Sequence, residues 1–283
     1  MSKKRLDVLL LELGWVDCRN RARAEIMSGR VLVNGEKCDK PGVKVNPDAE
    51  IKLLGSLNPY VSRGGLKLAG AYQDLGFSVE GKIVVDVGAS TGGFTHFSIL
   101  HGAEIVYAVD VGYGQLAWSL RQHSRVITME RTNARHLTKD IFTAGIPEVA
   151  LVDVSFISLK KILPVLSQLS VREIVALVKP QFEAGKEKVG KKGVIRSPQI
   201  HREILIDILS FLNTCGYVEK GLTFSPLKGP QGNLEFFFYA EANLQQVPGS
   251  ASEELEAKVE KVIASALNFW GSTEPGQADE VQN

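Results

Sequence analysis

The stretch Lys82 to Phe94, KIVVDVGASTGGF, constrains the fold of this chain more than any other. Ile83 to Val87 is an apolar, β-branched run suited to a central strand buried on both faces. It contains Asp86 and gives way to Gly88, Gly92 and Gly93, after which FTHFSILHG has helical character. Glycines in such a turn let the backbone approach a ligand, and a helix start presents unpaired N–H groups. A strand feeding a glycine turn at the head of a parallel sheet is where doubly wound folds hold nucleotides.

The chain around this stretch alternates between strand and helix. Apolar runs predict strands over 104–109, 125–129, 149–152, 173–178, 217–224 and 234–240, and helical patterns fall at about 94–102, 115–122, 156–170 and 198–215. That alternation predicts the α/β class, a doubly wound Rossmann-like sheet that is mostly parallel with helices on both faces. SPLKGPQGN, between the last two strands, reads as loop, so the sheet is expected to end in an antiparallel hairpin.

A small α+β domain is expected over residues 1–54. Leu6, Leu9, Leu10 and Leu13 recur at helical spacing up to Gly14, and Asp17 is a candidate N-cap for a second helix reaching Met27. VLVNGEKC then reads as strand, Asn-Gly turn, strand, and 49–54 supplies one more strand. Residues 55–62 form a linker, 63–245 the large domain, and 246–283 an acidic tail with one amphipathic helix (Leu255, Val259, Val262, Ile263, Ala266, Leu267).

Whole-chain charge is uninformative, with 33 basic against 32 acidic side chains, but its distribution is not. Residues 1–44 carry ten Lys/Arg and six Asp/Glu, whereas 252–283 carry two and seven, which places any polyanion near the N-terminus. Arg5, Arg19, Arg21, Arg23 and Arg30 are the candidate RNA or DNA contacts there, although most charge runs are simply solvated faces. The three cysteines are scattered and form no CxxC pair, and the five histidines lack ligand spacing, so no metal site is expected. With no apolar run of about 18 residues and no signal-like start, the expected location is cytoplasmic, away from membranes.

Two ligands compete for the glycine turn. A dinucleotide calls for GxGxxG, whereas this turn reads GASTGG and has Asp86 two residues before its first glycine. A carboxylate there suits a cationic ammonium or sulfonium, favouring S-adenosylmethionine over a diphosphate. The residues expected at the cofactor are Asp86, Gly88, Ala89, Ser90, Thr91, Gly92, Gly93 and Phe94. Asp110 with Val111 follows the next strand, where an acid can accept ribose hydroxyls, and Asn133 with Ala134 lies after the third. Asn133 could equally form an ordinary Asx turn.

Lys67, Asp153, Lys179 and Glu235 fall at element ends on the ligand side of the predicted sheet. Each alone has a bland explanation, but four on one rim are harder to dismiss. After the fifth strand, EAGKEKVGKKGVIR offers Lys186, Lys188, Lys191 and Lys192 as a basic loop for phosphates, or as a merely solvated one.

Residues 5–54, with RLDVLLLELG and GRVLVNG, resemble the small RNA-binding domain named after ribosomal protein S-four. SRGGLKL, VVDVGASTGGFT, LVDVSFIS, LVKPQFE and GNLEFF resemble the successive motifs of the TlyA family. Those proteins join that domain to an FtsJ-like ribose 2′-O-methyltransferase, and some are called haemolysins. The resemblance runs from about residue 5 to 243 and implies S-adenosylmethionine as cofactor. It also implies ribosomal RNA or ribosomal subunits as partner, with cytidine as the target in the small subunit, the large subunit or both. The family's Lys-Asp-Lys-Glu tetrad falls on Lys67, Asp153, Lys179 and Glu235. A lysine acts as base only if its pKa falls, which burial and a neighbouring ammonium promote. The expected roles are Lys179 at the hydroxyl, Lys67 as orienter, Asp153 between cofactor and Lys179, and Glu235 holding Lys67. A non-catalytic RNA-binding or assembly factor, a haemolysin-like toxin and a base methyltransferase are the alternatives. An eroded site, a long apolar helix, and an Asn/Asp-Pro-Pro-aromatic clamp would respectively favour them, and the sequence shows none of these.

Overall fold

The structure, a computed structural model, describes residues 3–16, 19–27, 29–54, 58–185, 187, 189–190, 193–243 and 252–271, without the side chains of Asn20, Arg21, Ala24 and Ser252. The candidate cap Asp17, the Arg21 side chain, and Lys186, Lys188, Lys191 and Lys192 lie outside the described residues. The chain forms two compact units, Met1–Val61 and Ser62–Asn283.

In the smaller unit, helices α1 (Leu6–Glu12) and α2 (Arg19–Met27) cover a sheet of β2 (Val31–Val33), β3 (Glu36–Cys38) and β5 (Ile51–Leu53), with β2 central. A separate pair joins β1 (Lys4–Arg5) to β4 (Lys44–Val45). The β2–β3 hairpin turns on Asn34 (φ 52°) and Gly35 (φ 85°), both left-handed as an Asn-Gly turn of this kind requires. Leu6, Leu9, Leu10, Ala22, Ile26 and Val31 form its core.

The larger unit is built on a seven-stranded sheet. Its strands are β6 (Ile83–Val87), β7 (Ile105–Val109), β8 (Val126–Met129), β9 (Val149–Val152), β10 (Glu173–Val178), β11 (Tyr217–Phe224) and β12 (Phe236–Ala242), in spatial order β11-β12-β10-β9-β6-β7-β8. Strands β8, β7, β6, β9 and β10 run parallel, and β12 pairs antiparallel with both β10 and β11. The order reverses at β6, which has β7 on one side and β9 on the other. The crevice beyond the C-terminal ends of β6 and β9 is therefore the topological switch point where α/β sheets bind ligands.

Alternation along the strands assigns the two faces. Val85, Val87, Val152, Phe236 and Phe238 join a core with Leu205 and Leu209 of helix α8 (Pro198–Thr214). The intervening residues face the other way: Phe237 meets Phe94 at 6.1 Å, and Tyr239 meets Phe77 at 6.2 Å. Phe94 belongs to α4 (Gly93–Leu100), which packs against α3 (Arg63–Leu75). Helix α9 (Ser252–Gly271), the helix expected in the acidic segment, packs on α8 and β11, and its Leu255, Val259, Ile263 and Ala266 are buried in the α8 core.

Two expected helices are shorter than their sequence patterns. The one over 115–122 contracts to α5 (Trp118–Arg121), because its N-cap Ala117 (φ −53°, ψ 137°) leaves helical space just before it. The one over 156–170 becomes a loop at 153–158, a 3-10 turn at Leu159–Lys161 and α6 (Leu163–Gln168), with Phe156 left-handed at φ 64°. Glu235 immediately precedes β12 rather than opening it.

Candidate active site

The glycine turn after β6 serves the protein's own packing before any ligand. A Cβ on Gly88 (φ 92°) would lie 2.4 Å from the Asp153 carbonyl oxygen, so only glycine lets the ends of β6 and β9 approach this closely. A Cβ on Gly93 would strike Ser62 Oγ at 2.4 Å and Gly65 N at 2.7 Å, where α4 begins against α3. Gly92 is closed in by the Leu116 and Leu120 side chains, and Phe94 and Ala89 are buried. Thr91 is exposed, with its carbonyl accepting from Ala117 N.

Beyond the turn opens a cleft of about 560 Å³. Six of the expected cofactor residues line it: Gly88, Ser90, Asp110, Val111, Asn133 and Ala134. The Asp110 carboxylate accepts from Ser90 N (2.8 Å) and Gly112 N (2.7 Å), one bond per oxygen, so each oxygen keeps a lone pair to offer a hydroxyl. Asn133 Oδ1 accepts from Arg135 N at 3.1 Å, capping a 3-10 turn at Ala134–His136. It is both the Asx-type cap and a lining residue. Asp86, Ala89, Thr91, Gly92, Gly93 and Phe94 are not among the lining residues.

Asp86 lies fully buried in β6, where Thr95 Oγ1 donates to Oδ2 at 2.6 Å and Oδ1 has no hydrogen-bond partner among the described residues. Burial, opposed by the Thr95 bond and reinforced by the Asp153 and Asp110 carboxylates, pushes its pKa up to about 7. Three acids in mutual electrostatic reach make this end of the sheet receptive to a cation and hostile to a diphosphate. Val111, Ala134, Ile157 and Ile162 are among the cleft's apolar lining. That donor set fits S-adenosylmethionine, with a flat base, a ribose diol and a cationic end.

The four tetrad positions form two ion pairs. Lys179, the residue after β10, brings Nζ within 2.6 Å of Asp153 Oδ1 and donates its hydrogen bond to Ser155 Oγ at 2.9 Å. The Asp153 contact is a charge contact without hydrogen-bond alignment, and Oδ1 is buried. Lys67, on α3, donates to Glu235 Oε2 at 2.5 Å. Lys67, Lys179 and Glu235 are all under 10% exposed. Asp153 and Ser155 also line the cleft, so the Lys179 pair stands at its edge.

The loop carrying Ser155 and Phe156 is the part that sequence reasoning missed. Phe156 is 89% exposed at the cleft, in a left-handed conformation unusual for an aromatic residue. Its ring sits 4.8 Å from that of Phe182. In the sequence SFIS it read as the start of a helix, and nothing local marks it as exposed.

In the smaller unit the arginines divide. Arg5 forks onto Asp7 (2.9 and 3.0 Å) and Arg19 reaches the same carboxylate at 3.1 Å, while both remain about half exposed. The Arg5 hydrogen bonds, helped by that of Arg19 and by both charges, hold the Asp7 pKa below the usual carboxylate range against its burial. Arg30 pairs with Glu25, and Arg23 is exposed.

Comparison with known proteins agrees with this architecture. The model of the FtsJ-like methyltransferase family matches residues 60–242, and that of the S4 domain matches residues 4–51. A candidate rRNA methyltransferase of Bacillus subtilis, YqxC, is 49% identical over 264 residues, covering 93% of this chain and 92% of that protein. The 16S/23S rRNA (cytidine-2′-O)-methyltransferase TlyA of Mycobacterium tuberculosis is 38% identical over 265 residues, covering 93% and 98%. A solved structure described as a candidate hemolysin from Streptococcus thermophilus superposes with a TM-score of 0.76 at 44% identity, covering 96% of this chain and 98% of that one. The chain belongs to the FtsJ-like methyltransferase family, among the TlyA-type members that carry an amino-terminal S4 domain.

Proposed function

We propose that this protein methylates the 2′-oxygen of a cytidine ribose in ribosomal RNA, of the small subunit, the large subunit or both, with S-adenosylmethionine as donor. The observation that carries the reading is the buried Lys179, ion-paired to Asp153 at the edge of a cleft built for a cationic nucleoside. Relatives named as rRNA (cytidine-2′-O)-methyltransferases support the choice of substrate. The cofactor supplies, when bound, a methyl carbon that the ribose oxygen takes as sulfur leaves as a neutral thioether.

Asp110 holds the cofactor's ribose hydroxyls, while Asn133 and Ala134 border its base. A ribose hydroxyl is a weak nucleophile until its proton is removed. A neutral Lys179 Nζ, its own ammonium proton released to solvent beforehand, accepts that proton; the Asp153 carboxylate stabilises the ammonium formed, and Ser155 fixes one of the directions available to Nζ. Lys67, tied to Glu235, orients the substrate. The exposed Phe156 ring offers a stacking face to an unstacked base, as single-stranded RNA recognition commonly uses. Arg5, Arg19, Arg23 and Arg30 of the S4 domain grip RNA phosphates, with Arg21, Lys186, Lys188, Lys191 and Lys192 as further candidates. The work belongs in the cytoplasm with the ribosome. Relatives called hemolysin do not alter this reading, because no helix among the described residues is long and apolar enough to cross a membrane.

Replacing Lys179 tests the assignment. Lys179→Ala is expected to lower kcat by about 10²-fold or more, the typical worth of a positioned base, with S-adenosylhomocysteine affinity within about threefold. Near-normal methyl transfer in that variant would refute the role.

A further inference from the structure

Glu183 is a part-buried carboxylate that the chemistry above does not use. Its Oε2 accepts from Ser158 Oγ at 2.6 Å and its Oε1 from Leu159 N at 2.9 Å. Ser158 Oγ in turn accepts from Lys160 N at 3.2 Å, capping the 3-10 turn that ends the 153–158 loop. Among the described residues no lysine or arginine pairs with Glu183 directly; the near base Lys160 is bound to Asp207 at 2.6 Å. An acid held by neutral donors is an expensive way to close a turn, because burial raises its pKa.

The rest of helix α7 (Pro180–Glu183) repeats the pattern. Lys179, just before it, contacts Asp153 and Ser155 at the start of the loop. Phe182 meets Phe156 in the middle at 4.8 Å, and Glu183 ties the end. These contacts run in step along the two segments. The loop needs such support, since a left-handed aromatic residue is strained and persists only where its surroundings over-determine it. We propose that Glu183 is a positioning residue for methyl transfer, latching the 153–158 loop so that Asp153 and Ser155 stay registered on Lys179. This rests on the catalytic reading of Lys179 given above.

The test uses the full chain with Glu183→Gln, Glu183→Ala and Ser158→Ala, reading hydrogen exchange over residues 153–161 and kcat at saturating cofactor and RNA. Glu183→Ala should speed exchange in that segment and lower kcat by about tenfold, since misplacements near 1 Å cost up to about 10²-fold. Glu183→Gln should fall between it and the parent, because its amide oxygen still accepts from Leu159 N. Ser158→Ala should speed exchange as well, and it carries the test with Glu183→Gln if Glu183→Ala does not fold. Unchanged exchange in the Glu183 variants, or faster exchange with unchanged kcat, would overturn the latch. A parent protein that methylates no RNA would instead overturn the enzymatic reading, and exchange alone would then decide whether Glu183 anchors the loop.

Discussion

At the scale of single residues, Asp86 shows how far a sequence motif can differ from its structural use. Its place before the glycine turn read as a direct contact for a cation, yet its side chain is buried under Thr95 and lies outside the cleft lining. Burial raises its pKa to about 7. A raised carboxylate pKa means that the folded state holds a proton the unfolded state has released. Its stabilising contribution is full below the unfolded value near 3.8 and is lost as pH rises through about 7. Asp86→Asn abolishes this titration. The cofactor-free variant should therefore gain stability relative to the parent between pH 5 and pH 8, by on the order of 3 kcal/mol. Parallel melting curves at the two pH values would show that Asp86 is already compensated. Three members of the tetrad, Asp153, Lys179 and Glu235, were more legible than Asp86, because they flank strands and strand ends are readable from sequence. The pairs expected among its members, Glu235 with Lys67 and Asp153 with Lys179, are the pairs that form, although Lys67 and Glu235 are 168 residues apart and only the fold joins them.

At the scale of elements, the β/α alternation was legible because buried parallel strands are short, uniformly apolar runs. The loop after β9 was not legible, because its shape is set by contacts from β10 and α7, distant in sequence. The same holds for the glycines of the first turn, whose spacing suggested a ligand and whose environment is largely protein. Gly88→Ala separates these readings. Its Cβ would meet the Asp153 carbonyl at 2.4 Å in a left-handed backbone, so the ends of β6 and β9 must part. The expected outcome is a loss of stability of about 2 kcal/mol or more, with kcat falling along with cofactor affinity because Asp153 moves. A variant that loses only cofactor affinity, with stability and saturated rate intact, would return the glycine to a purely ligand-facing role.

At the scale of the whole molecule, the acidic C-terminal segment is the clearest gain from the structure. Its helical apolar spacing was legible, but its partner was not, since amphipathicity reveals a face and not what covers it. Helix α9 lays Leu255, Val259 and Ile263 onto α8, and Lys258 pairs with Glu219 of β11 at 2.8 Å. Ile263→Ala should therefore destabilise the methyltransferase unit by about 2–5 kcal/mol, as measured by denaturant unfolding. A change within about 0.5 kcal/mol would mean the helix is not integral to that core. The protein would be mixed with methyl-labelled S-adenosylmethionine and ribosomal subunits lacking the modification, and the RNA digested with alkali. A 2′-O-methyl group removes the neighbouring nucleophile that alkaline cleavage requires. Label in alkali-resistant dinucleotides beginning with cytidine is the predicted result. Label confined to mononucleotides would show methylation of the base, and would contradict both the ribose target and the role given to Lys179.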